Sequence, residues 1–396
     1  MSEKLPRGQL AVLIIALMAT GIGQSLVFAI LAPLGREVGM AEIQITSIIA
    51  TSALVFAVAS PRWGRLSDRI GRKPVIITGL LGYTVGTVLF SSVFAAGLAG
   101  LLGGWLLYGV ALAARCGQSV IMSGTAPGTT AYAADCTSAR YRTSTMASLG
   151  TANSLGMILG PAVSGALAAF GLLAPLYFAG FLSASAALLV WKAMPGLTRA
   201  ERRARVPSRR MRYLDPQIRR YALTAIALFT GFSAIQQTLG FQLQDQLQLD
   251  GVATAQMNGA ALMVSALFTF VVQITIMQRV KAPPKVFIRS GLAFLGVGAL
   301  FIAAFSSFVT LALGMAFFGT GLGLAMPAIT AGASLAVAPE DQGAAAGVIS
   351  ACPAVGFVTG PVAGGLLYPL SPIAPTLCGA AIFFLTLILL TLTSRS

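Results

Sequence analysis

Charged residues fall in bursts along this chain, and long stretches without charge separate them. Residues 8–35, 43–61, 221–244 and 251–278 are uncharged runs that each hold one span of about 20 apolar residues, the length a helix needs to cross a bilayer. Residues 143–191, 290–339 and 342–394 each hold two spans joined by a short uncharged turn. The stretch 74–134, broken only by Arg115, has room for two or three. Basic segments at both of its ends place those ends on one side of a membrane, which requires an even number. The pattern therefore predicts twelve helices, with Met122–Asp135 the small-residue, Pro- and Gly-marked end of the fourth rather than an extra span.

Composition agrees with this pattern. Of 396 residues, 56% are hydrophobic and 9% charged, against roughly 25% charged in an average soluble domain, and there is no histidine. The expected fold class is an all-α integral membrane protein. On the twelve-helix count, 24 of the 26 Lys and Arg lie on the side of the two termini, Arg36 lies on the other side, and Arg115 lies within the membrane. Positive charge marks the cytoplasm, so both termini are expected there, in the inner membrane of a bacterium. The formal charge of +15 sits in these loops, above all in the segment 194–220, and reads as a topology signal and attraction to lipid headgroups rather than a nucleic-acid surface. The basic N-terminal start resembles a signal peptide, but the apolar stretch after it is too long and lacks a clear cleavage site, so an uncleaved first helix is expected. Cys116, Cys136, Cys352 and Cys378 are scattered without CxxC spacing and imply neither a disulfide nor a metal site.

An internal repeat divides the chain. GMILGPAVSG places Gly156, Gly160, Pro161 and Gly165 in the fifth helix, and GFVTGPVAGG places Gly356, Gly360, Pro361 and Gly365 in the eleventh, each pair 200 residues apart. Pro127 and Pro327 keep the same offset. One GxxxG is weak evidence, since small residues simply let helices approach. Its recurrence at one register predicts two six-helix bundles, 1–193 and 221–396, joined by the basic linker 194–220. Parallel halves of this kind describe transporters that rock around a site at the membrane midplane.

The motifs then resemble those of the major facilitator superfamily. GRLSDRIGRK, Gly64 to Lys73, is similar to that family's loop between helices two and three. Arg115, Cys116, Gly117 and Gln118 resemble its helix-four motif, with Ser119 where glycine is usual. The two GxxxGP helices resemble its antiporter motif, the first with Ser164 in place of a glycine. AYAADCTSARYR resembles the helix-four exit of the twelve-helix drug:H+ antiporter branch. The resemblance implies exchange of a small molecule against protons by alternating access, driven by the proton gradient with no cofactor, in a monomer surrounded by lipid. It also implies that Asp68 latches onto the start of helix eleven near Gln342 and Gly343, with Arg140 or Arg142 nearby.

The residues themselves point to specific chemistry. Gly64 and Gly71 permit tight turns and close approach, Asp68 can satisfy a helix N-terminus, and Arg69, Arg72 and Lys73 hold the loop at the cytoplasmic face. The corresponding second-half loop has Gln278 where the acid is expected. Proline bends the GxxxGP helices while their glycines seat a neighbour. Arg115 costs about 2.5–3.5 kcal/mol in a membrane unless it faces water, a ligand or an acid. It is a candidate for the cavity together with Gln118, one turn on, and its counterpart at the 200 offset is Met315. It could instead be a pin bonded to helix-one carbonyls.

Proton coupling needs a group that changes charge. The acids in or near helices are Asp135 at the inner end of helix four and Asp245 near the outer end of helix seven, which is either a protonation site or gate, or a helix-end residue in water. Helix one offers Gln24 but no acid, a departure from many drug antiporters. Gln236, Gln237, Gln242, Asn153 and Asn258 could line a polar cavity for a drug or for a polar or anionic metabolite such as a carboxylate siderophore. Import by symport and lipid flipping remain alternatives on the same fold. A membrane enzyme or sensor is disfavoured, since the sequence has no HExxH, no Walker motif and no histidine.

Overall fold

The computed structural model of the chain describes residues 5–196, 215–280, 282–338 and 341–392, and leaves the side chains of 139, 140, 142–144, 147 and 343 outside the described set. Most of the basic linker expected at 194–220 therefore lies outside the described residues. All ordered elements among the described residues are helices. We number them by membrane passage. In the first half, α1 is Arg7–Glu37, α2 Glu42–Ile70, α3 Arg72–Leu98, α4 Gly104–Asp135, α5 Ala139–Ala168 and α6 Ala174–Ala193. In the second, α7 is Arg219–Leu247, α8 Gly251–Arg279, α9 Pro284–Ala303, α10 Phe308–Leu335, α11 Gln342–Leu367 and α12 Ala374–Leu392. Eleven of these twelve, α5 excepted, are long and apolar enough among the described residues to cross a membrane. The chain is a multi-pass membrane protein.

Two compact units divide the fold. One contains residues 1–41 and 51–205, the other 206–396 together with Glu42–Ala50, the first two turns of α2. Within the first unit α1 packs on α5 and α6, and α3 on α4 and α6. The second repeats the scheme, α7 packing on α11 and α12, and α9 on α10 and α12. The duplicated GxxxGP register is thus matched by a duplicated pattern of neighbours. Outward-facing side chains such as Leu89, Phe181, Leu267 and Leu385 are exposed and apolar, as a surface solvated by hydrocarbon requires.

The fourth helix is broken where its small residues gather. It runs Gly104–Met122, turns at Ser123 and Gly124, and resumes as Thr125–Asp135. At the turn the Gly124 N–H bonds to the Ile121 carbonyl, and the indole of Trp63 on α2 donates to the carbonyl of Val120 at 2.5 Å. A backbone acceptor that the turn would orphan in an apolar medium is thereby satisfied by a side chain. Its counterpart α10 runs unbroken through Pro327.

Candidate functional site

The loop motif builds a small ionic cluster. Gly71 precedes α3 with φ 111°, ψ 157°, a conformation only glycine adopts without strain. This turn aims Arg72, the first residue of α3, back between two helices. Its guanidinium bonds to Asp68 and, at 2.7 Å, to Ser67 Oγ, both on α2, and reaches Asp135 at the end of α4 with Nε–Oδ2 2.9 Å. Arg72 and Asp135 are buried, while Asp68 is 40% exposed. Lys73 Nζ donates to the Trp191 carbonyl at the end of α6 at 2.7 Å. Asp135, expected as a coupling acid near the cavity, is instead the buried counter-ion of Arg72. Gly64 does not make the expected tight turn. It lies within α2, and a Cβ there would meet Pro127 Cβ at 3.9 Å, an ordinary contact. Arg69 is exposed. Arg140, Arg142 and Gly343, named as neighbours of Asp68, lie outside the described side chains.

Arg115 and Gln118 lie one turn apart on α4, both buried. Arg115 donates to the Gln118 carboxamide oxygen and sits over the Phe90 ring, 5.8 Å from its centroid. Gln118 Nε2 donates to Thr87 Oγ1 at 2.5 Å and to the Tyr83 carbonyl at 3.1 Å, on α3. These contacts are to α3 and α4 rather than to helix-one carbonyls. Among the described residues no carboxylate pairs with Arg115. Two polar atoms of the cluster, Arg115 Nε and the Tyr83 hydroxyl, are buried without a hydrogen-bond partner among the described residues. A Cβ on Gly23 of α1 would strike that hydroxyl, and the next residue, Gln24, is half-buried.

The GxxxGP helices make one seam in each unit. A Cβ at Gly156 would meet the Met18 carbonyl at 2.6 Å, and one at Gly160 the Ile22 carbonyl at 2.6 Å. Gly360 likewise abuts the Thr230 carbonyl at 2.6 Å, and Gly356 abuts Phe229. Across each seam a serine bonds to the first glycine's carbonyl, Ser25 to Gly156 at 3.3 Å and Ser233 to Gly356 at 2.7 Å. Pro161 and Gly165 are buried in α5, and Pro361 in α11 follows the same register. Gly365 faces Thr46 and Ile43, on the α2 turns that cluster with the second unit. Ser25 and Ser233 escaped the sequence reading because they do not lie at the 200-residue offset.

In the second unit Asp245 is half-buried, and accepts a hydrogen bond from Tyr368, at the end of α11, at 2.5 Å. The Tyr368 ring packs edge-on to Phe241 at 5.4 Å. Gln242 is a structural pin, donating to the Ile302 carbonyl at 3.1 Å and accepting from Thr376 at 3.1 Å. Gln236 and Gln237 on α7 are buried, and Gln236 Oε1 and Gln237 Nε2 have no partner among the described residues. Asn258 is buried on α8, and Asn153 is exposed on α5. No cluster of three metal-ligating side chains occurs among the described residues.

Twelve helices in two like-packed units, with polar side chains buried inside apolar helices, define a membrane transporter. The sequence profile of the Major Facilitator Superfamily matches residues 13–361, and the chain belongs to that family. It is 27% identical over 340 residues to Multidrug resistance protein 2 of Bacillus subtilis (strain 168), covering 82% of this chain and 80% of that protein. It is also 27% identical over 375 residues to the class C tetracycline resistance protein of Escherichia coli, covering 90% and 88%. A triacylglyceride transporter of Mycolicibacterium smegmatis matches at 37% over 154 residues, 39% of this chain and 25% of that protein. Among solved structures, the human organic anion transporter MFSD10 aligns with TM-score 0.67 at 20% identity over 98% of this chain and all of the other. The nucleoside transporter NupG aligns with TM-score 0.74 at 12% identity over 98% and 100%. At these identities the structural likeness speaks for the fold alone. The relatives and neighbours are transporters, not enzymes.

Proposed function

We propose that the chain is a proton-coupled exporter of a small molecule, either a drug or a polar or anionic metabolite. In this reading the halves 1–193 and 221–396 rock about a shared midplane site in a bacterial inner membrane, with both termini in the cytoplasm and the chain a monomer. The observation that carries the reading is Arg115. Arg115 is a buried cation without a carboxylate partner among the described residues, held by Gln118 and Phe90 with its Nε unpartnered, and a polar visitor would offset its insertion cost. Export is supported by the resistance proteins among the relatives and by the two GxxxGP seams.

Asp245 is the proposed proton carrier, since Asp135 is committed to Arg72. Protonating Asp245 removes the charge that accepts from Tyr368, loosening a tie between α7 and α11. Asp68 remains the proposed inner latch. The test begins with an untargeted comparison of metabolites and of drug susceptibility in cells with and without the protein. A substrate found there is then offered to proteoliposomes under an imposed pH gradient. Substrate uptake driven by an acidic vesicle interior, with protons leaving as substrate enters, supports the reading, while flux indifferent to the gradient removes proton coupling from it. Crosslinking the halves should halt flux. A second reading, lipid transport, is favoured by the match to triacylglyceride transporters, and acyl-labelled triacylglyceride in the same vesicles distinguishes it.

A further inference from the structure

A cavity of about 310 Å³ opens in the second unit, remote in sequence from Arg115, where the first turns of α7 and α9 meet the last turns of α10 and α12. Arg219, Arg220, Lys285 and Arg289 line it, with Ile288 and Leu390 forming an apolar side. Tyr221 forms part of its wall and is held against α10, since a Cβ on Gly332 would strike its ring.

The cations here stand at two helix N-termini and share the cavity with the last turns of α10 and α12, whose carbonyl ends favour cations. A helix N-terminus carries partial positive charge and favours acids in its first turn. The first turns of α7 and α9 contain no acid, and neither Ile218 nor Pro283 supplies a capping side chain. Cations stand there instead, Arg219 and Arg220 opening α7 and Lys285 the second residue of α9. Arg289 has a favourable partner, donating to the Leu390 carbonyl at the end of α12 at 3.0 Å. The nearby acid, Asp215, uses a carboxylate oxygen on the Gln217 N–H at 3.2 Å. No carboxylate among the described residues pairs with Arg219, Arg220 or Lys285. The preceding segment 197–214, outside the described residues, holds seven arginines and one acid, Glu201.

We propose that this cavity binds the phosphate-bearing headgroup of an anionic phospholipid. The site offers one anion three cations, Arg219 and Arg220 from α7 and Lys285 from α9, an arrangement that suits a phosphodiester. A lipid fits better than a free anion because apolar surface continues outward from the cations. Val286, Leu335 and Leu389 are exposed along the ends of α9, α10 and α12, where acyl chains would lie. The bound headgroup would tie together four helix ends of one unit. This inference needs only that the chain spans a membrane, and holds whichever direction transport takes.

The test is native mass spectrometry of the full chain released from nanodiscs of equal phosphatidylglycerol and phosphatidylcholine. The wild type is expected to retain phosphatidylglycerol preferentially, and Lys285→Gln to lose about fivefold of that preference, the worth of one cation at a lipid surface. Combining Arg219→Gln and Arg220→Gln with it should abolish the preference. Lys285 is exposed, so the single variant reads the site even if the triple variant misfolds. Equal retention by wild type and Lys285→Gln overturns the proposal. Retention of inorganic phosphate in place of phosphatidylglycerol at equal concentration would also overturn it, marking a free-anion site.

Discussion

Positions 115 and 118 on α4, and 315 and 318 on α10, occupy one register of a duplicated helix. All four are almost fully buried. In the first unit they are Arg115 and Gln118, tied to α3 by hydrogen bonds. In the second they are Met315 and Phe318, and Phe318 stacks on Phe232 at 5.8 Å and meets Phe383 edge-on at 6.0 Å. The backbone differs in the same sense, for α4 breaks before Pro127 and α10 runs through Pro327. Yet Gly160 and Gly360 meet the same set of contacts on α1 and α7, a serine hydroxyl, a carbonyl and a backbone nitrogen. Duplication has thus been kept where α1 and α7 touch their glycine-bearing neighbours and abandoned at positions 115 and 118, where the first unit alone buries a cation. The scaffold needs symmetry, and the charge does not.

The largest expected effect comes from forcing the second half to resemble the first. Met315→Arg would bury a cation in an apolar helix and should destabilise the folded protein by about 2.5–3.5 kcal/mol, read as lost monodisperse yield by size exclusion. Normal yield would mean that the two environments do not differ as described. Next come the seams. Gly160→Ala and Gly360→Ala each drive a methyl into a facing serine and backbone, and each should cost about 1–3 kcal/mol in thermal unfolding. A penalty in one half alone breaks the claimed equivalence.

The loop motif gives a finer contrast. Gly71→Ala should cost about 1–3 kcal/mol through backbone strain, whereas Gly64→Ala should lie within about 0.5 kcal/mol of wild type. Parity between them would show that the turn at 71 relaxes. The smallest effect on stability is expected from Asp68→Asn, less than about 1 kcal/mol for so exposed a partner of Arg72. Its consequence should be slower flux in everted vesicles at unchanged insertion, and unchanged flux would remove Asp68 from the gate.

The spans were legible in the sequence because charge is excluded from lipid, and the repeat because Gly-Gly-Pro recurs at a fixed offset. Arg115 and Gln118 could be singled out because a lone cation in an apolar run is costly. The partners were not legible. Helices such as α3 are apolar on every side, so periodicity does not say which face meets which neighbour, and Tyr83, Thr87 and Phe90 gave no signal. Asp135 looked like a free coupling acid because its counter-ion, Arg72, is 63 residues away and reaches it only through the turn at Gly71. Asp245 could have stood in water at a helix end, and Tyr368, 123 residues on, is what draws it into the protein.

The central claim is that Arg115 serves a visiting ligand or proton rather than the packing of α4. Proton-driven flux in proteoliposomes, compared between wild type and Arg115→Met, tests it most directly, because the substitution installs the residue that the second half already tolerates. Loss of a charge-assisted hydrogen bond worth about 1.5–3 kcal/mol predicts flux reduced about 10- to 100-fold, with thermal stability equal to or above wild type. Undiminished flux, or flux lost only in step with unfolding, would contradict the account.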